Sequence, residues 1–176
     1  MNTLKHYPVW SNFIYFVSGL YVLMLGIGYS RLEFIIYSIV ILLTGIFSIL
    51  YHLNTPSYTG NQDTWNSKKY KNFMLLDQIF ACLVVVLSFI LFLWRGYLKT
   101  FWIYLDSRDF YLSILFIILA CIFYVIGTKH NKKAKDCNKT VCFDTQLDAY
   151  DIFHSNWHIF TSIGLIFWTN TLLITY

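Results

Sequence analysis

The sequence predicts an all-α fold, a polytopic transmembrane helical bundle of about five spans. Of its 176 residues, 57% are hydrophobic and only 12% charged, more apolar surface than one soluble core of this length can hide. The apolar residues come in long uninterrupted blocks. Tyr and Trp gather at block ends, as at Trp10, Trp94 and Tyr111, where interfacial anchors sit. The alternation of a membrane barrel is missing, and in lipid a backbone must satisfy its own hydrogen bonds, so each block is expected to be a helix. The longest polar stretch, 128–150, is too short for an appended soluble domain, and residues 1–176 are expected to form a single transmembrane domain.

The first block, 10–29, reads as a retained first span. Its apolar run is long, and no small-x-small cleavage site follows before Arg31. The second, 33–52, closes on "FSILYHLN", which carries Ser48 and His52. The third, 73–94, carries Asp77 about one turn in, within "FMLLDQIF". The aromatic segment 96–106, with Lys99, suits an interfacial or re-entrant helix. The fourth block is 110–127. The fifth, 152–175, is entered through "YDIFHSNWHIF", with His154 and His158 four residues apart and so on one helical face. Blocks of roughly 18 to 24 residues span a hydrocarbon core of ~30 Å. Cys82 and Cys121 lie inside spans and are expected to be packing residues. Glu33 and Asp151, at block edges, are expected to be snorkelling or helix N-terminal charges.

Ionisable side chains within spans are costly and mark function by default. Those here are His52, Asp77, His154 and His158. Following the chain back and forth, the second helix ends on one side, X, and the third begins there. The fourth returns to X, and the fifth starts from it. Five spans therefore bring all four groups to similar depth near one side.

Three neutral imidazoles with one open position form a catalytic zinc arrangement. His154 and His158 supply two ligands from one helix face, and His52 the third. Zinc lowers the pKa of its water to about 7. Asp77 would take the proton or orient that water, and Ser48, one turn deeper than His52, would donate a hydrogen bond to it or to a developing oxyanion. The expected activity is zinc-dependent hydrolysis of a lipid amide or ester bond, with ceramide-like lipids first and phospholipids beside them. Two alternatives stand beside it: a non-enzymatic membrane receptor or fusion factor that keeps a structural zinc site, and a bis-His haem b protein. For single residues the plainer alternative is a helix–helix hydrogen bond for each His and an i−4 carbonyl bond for Ser48.

The pattern Ser48-x-x-x-His52, an Asp early in the next helix, then His154-x-x-x-His158 in the last helix resembles the CREST superfamily. That group holds the alkaline ceramidases, progestin/adipoQ receptors, GPI-anchor lipid remodelling proteins and myomaker-like proteins. The form "HSNWH", with Ser155 and Trp157 inside the pair, looks closer to the remodelling and myomaker-like branches than to the adiponectin receptors. The resemblance implies zinc at His52, His154 and His158, with Asp77 and Ser48 beside it. The family norm is seven helices against the five counted here; losing two preserves the parity.

Side X carries Lys5, Lys68, Lys69, Lys71, Lys129, Lys132, Lys133, Lys135 and Lys139, and the other side Arg31, Arg95, Lys99 and Arg108. The positive-inside rule thus puts X in the cytoplasm. The stretch "DCNKTVC" points the other way, with a glycosylation sequon at Asn138 between Cys137 and Cys142, which could pair in a lumenal loop. The net charge of +4, concentrated at X, suits an anionic membrane surface and not nucleic acid. The expected location is an endomembrane or the plasma membrane.

Overall fold

The computed structural model describes residues 7–59, 61–96, 107–137 and 140–173, and every element in them is helical. A short α1 (Tyr7–Ser11) runs into α2 (Phe13–Gly28), and together they make one 22-residue span. Next come α3 (Leu32–His52), a one-turn α4 (Pro56–Thr59) and a 3-10 turn at Gln62–Asn66. Three long helices follow among the described residues: α5 (Lys68–Gly96), α6 (Arg108–Asp136) and α7 (Thr140–Leu173). The segment expected to lie in the interface, from residue 97 onward, is outside the described residues, as are Asn138 and Lys139.

Among the described residues, four helices are long and apolar enough to cross a membrane: Tyr7–Gly28, Leu32–His52, Lys68–Trp94 and Arg108–Asp136. That fits an integral membrane protein. The fifth, α7, is the longest at 34 residues, but His154, Asn156 and His158 interrupt its apolar run.

A tight turn joins α2 and α3. The Arg31 amide donates to the Gly26 carbonyl at 2.7 Å, while Ser30 takes the left-handed conformation at φ 53°. The helices close on Gly26, where a Cβ would stand 2.9 Å from the Ile35 nitrogen; no side chain fits. On the far face of α3 packs α5, through stacked Phe47 and Phe80 with centroids 4.7 Å apart and a Tyr37–Ser88 hydroxyl bond.

The closest partnership is the α6–α7 hairpin. The buried residues of α6 are Ser113, Ala120, Gly127 and Ala134, one small residue every seven positions. Such a seam lets two backbones approach, and its seven-residue period gives left-handed packing. Phe123 stacks on Phe160 beside it at 5.1 Å. The hairpin outruns its apolar part. The polar stretch 128–150 is helix on both arms, held by a small cluster of Ala134, Phe143 and Leu147 with Trp65 from the 3-10 turn. Cys137 and Cys142 form a disulfide across its tip, Cα atoms 5.8 Å apart.

Two helical groups result, α2–α3–α5 in a row and α6–α7 as a pair, joined where α1 and α2 pack on α7. Tyr15, Val22, Phe34, Ile41, Leu165 and Leu172 form the shared core. On the opposite side, among the described residues, α5 and α6 make no extended contact.

Three residues differ from the sequence expectation. Asp151 is not an N-terminal or snorkelling charge: α7 begins eleven positions earlier, at Thr140, which leaves Asp151 mid-helix and 1% exposed. Cys82 and Cys121 are exposed and not buried in the core; on α6 the small residues, not Cys121, mark the buried face.

Candidate metal centre

The five residues singled out by spacing converge at one end of the bundle. His52 closes α3, and its last turn packs Tyr51 and His52 together at 4.8 Å. Asp77 lies on α5, nine residues after Lys68. His154 and His158 sit one turn apart on α7, ring centroids 4.6 Å apart. His52 meets His154 at 4.8 Å and His158 at 5.4 Å. His52 and His158 are each 1% exposed, and His154, Asp77 and Ser48 are buried too.

Each His offers a ring nitrogen, and these three atoms lie within 4.8 Å of one another. They are close enough to hold one metal ion. His52 Nε2 and His158 Nε2 are 3.2 Å apart. Two nitrogens about 2.0–2.1 Å from a tetrahedral ion stand roughly 3.3 Å apart, so this edge already has the right length. A plain imidazole–imidazole hydrogen bond also has that length, but it leaves other atoms unexplained. His154 Nε2 and His52 Nδ1 are buried with no hydrogen-bond partner. Burying a ring nitrogen unsatisfied is costly, and a shared cation removes the cost for His154. The residues therefore fit a metal. Axial ligation of haem does not fit: a porphyrin must pass between its two imidazoles, and nitrogens 3.2 Å apart leave it no room.

Ser48 faces the Asp77 carboxyl, although its hydroxyl lacks a partner of good geometry. Asp77 also lies near the phenols of Tyr15 and Tyr150. Three groups here escaped the sequence pattern. Tyr150 packs on His154 at 4.8 Å; the Tyr51 and Tyr70 hydroxyls meet at 3.4 Å on the X side of the site; and Tyr15, from the first span, reaches His158. A tyrosine within an apolar span carries a polar tip that needs a partner when buried, and that was the available signal for Tyr15 and Tyr51; Tyr70 and Tyr150 lie outside the apolar blocks and gave none.

Next to the site a cavity of about 350 Å³ opens where α5 and α6 stand apart. Val85 and Phe89 of α5, Cys121 of α6, and Thr161 and Trp168 of α7 line it, and Tyr15 forms part of its wall. Its surface is almost wholly apolar.

No family model, curated protein or solved structure matches this chain.

Proposed function

We propose that the chain is a zinc-dependent intramembrane hydrolase of a lipid amide or ester bond, with ceramide-like lipids the first candidates and phospholipids the next. The observation that carries this is the buried triad His52, His154 and His158, with an unpartnered nitrogen, beside an apolar cavity that faces lipid. Zinc suits an all-imidazole set with room for a fourth position, and when bound it supplies hydroxide at neutral pH and polarises a carbonyl. The chain's own residues do the rest. The apolar cavity takes the hydrocarbon part of the substrate and keeps water out. Asp77 holds the proton released as the nucleophile forms and returns it to the leaving group. Ser48 donates a hydrogen bond to the charge that develops on the carbonyl oxygen. The resemblance to the CREST pattern supports the same assignment.

Purified protein is expected to carry about one zinc per chain and to hydrolyse at least one lipid from a panel of ceramides, phospholipids and GPI-like lipids in detergent. Zinc-loaded protein that turns over none of them would favour the second reading, a receptor or fusion factor with structural zinc. One observation suits that reading: the triad joins the two helical groups, as a structural ion would.

The lysine excess at the site's end supports a cytoplasmic side for that end, with an endomembrane or the plasma membrane as the location. The Cys137–Cys142 bridge at the same end is the feature that opposes it, since disulfides persist in oxidising compartments. Glycosidase treatment of protein made in eukaryotic cells is expected to leave its mobility unchanged. A shift abolished by Asn138→Gln reverses the assignment.

A further inference from the structure

Like α1, α2 packs against both α3 and α7, and its Tyr15 reaches the triad at His158. Tyr15 is 4% exposed. Its hydroxyl lies 3.2 Å from His158 Nδ1, and its ring meets the imidazole edge-on at 5.5 Å. The Thr161 hydroxyl stands beside the same phenol and donates to the Trp157 carbonyl at 2.8 Å.

A neutral imidazole has one ring nitrogen protonated and the other free to ligate, and the partner of the protonated nitrogen selects which is which. His158 turns Nε2 toward His52 and Nδ1 toward Tyr15. Its outer nitrogen therefore has a partner, whereas the Nδ1 of His52 has none. We propose that Tyr15 is a positioning residue of the metal centre: its oxygen accepts the His158 Nδ1–H, so that Nε2 is kept as the ligating nitrogen with its ring aimed at His52. This rests on the triad being a metal centre, and it adds a residue from a span that the ligand pattern does not include. Tyr15 also forms part of the cavity wall, so one side chain touches both the ligand set and the space for the substrate.

Tyr15→Phe removes the oxygen and keeps the ring. Zinc affinity, measured in detergent by competition with a chromophoric chelator, is expected to fall roughly 10- to 100-fold, the usual effect of losing such an outer contact. The visible absorption of the cobalt-loaded protein is expected to change in position or intensity as His158 reorients, which a packing role would not produce. Tyr21→Phe serves as the control. Tyr21 lies on the same helix but donates to Asn170, and both readouts should stay at wild-type values. Unchanged zinc affinity and cobalt spectrum in Tyr15→Phe overturn the role of Tyr15 and leave the metal centre standing. Wild-type protein that binds neither zinc nor cobalt overturns the centre itself, and the role of Tyr15 with it. If Tyr15→Phe does not fold, ring-nitrogen shifts of nitrogen-15-labelled histidine in zinc-loaded wild type decide: His158 bound through Nδ1 overturns the proposal, and Nε2-bound with Nδ1 protonated supports it.

Discussion

Asp77→Asn is expected to leave zinc content and fold intact while lipid turnover falls roughly 10²- to 10⁴-fold, the range that general acid–base groups contribute. The substitution keeps size and hydrogen-bonding capacity but removes the ability to take a proton. Asp77 is buried at the same end of the bundle as the triad, with Ser48 facing it, and no hydrogen bond to a histidine ring is seen for it among the described residues. An orienting role on a ligand would instead lower zinc affinity, by roughly 10- to 100-fold, so turnover and zinc content measured on the same samples separate the two roles. Ser48→Ala should cost less than Asp77→Asn, with roughly 10²- to 10³-fold as its upper bound from oxyanion donors. Turnover that survives Asp77→Asn unchanged would remove Asp77 from the mechanism.

His52→Ala is expected to strip the protein of zinc, from about one per chain to almost none, as His154→Ala should. Two imidazoles from a single helix turn then remain, one fewer than zinc sites of this type use. The loss should also appear in stability. A ligand that binds only the folded state stabilises it by about 4 kcal/mol at 1,000 times its Kd, so added zinc should raise the melting temperature of wild type and leave that of His52→Ala unmoved. Full occupancy in His52→Ala would mean that the third ligand lies elsewhere.

Much of this arrangement of residues could be read in advance because a membrane simplifies the problem. Apolar blocks declare themselves by length, and counting them fixes which polar residues share a side; His52, Asp77, His154 and His158 do meet at one end. What escaped were contacts made across the bundle. Tyr15 sits in a run of aromatic and aliphatic residues where tyrosine reads as packing, and only the crossing of α2 against α7 gives it His158. Asp151 looked like a helix start because the apolar run begins there, whereas lysines, alanines and a few apolar residues carry α6 and α7 well past the apolar boundary. The seam Ser113, Ala120, Gly127 and Ala134 has a plain seven-residue period, yet it is masked by the bulky Ile, Leu and Phe around it, whose pull on hydropathy is far larger. The break in apolar character along α7 has the opposite cause: the same side chains that make the site lower the hydropathy of the span that carries it.

His158 stands 106 positions after His52, and that separation sets an order of events during synthesis. At about 5–20 residues per second, roughly 5 to 20 s pass between the emergence of the first ligand and the last. Throughout that interval α5 and α6 are being made, and His52 lacks both of its partners in the triad. A metal held by the triad would be captured only once α7 has been made, and a chain truncated before α7 would lack two of the three histidines.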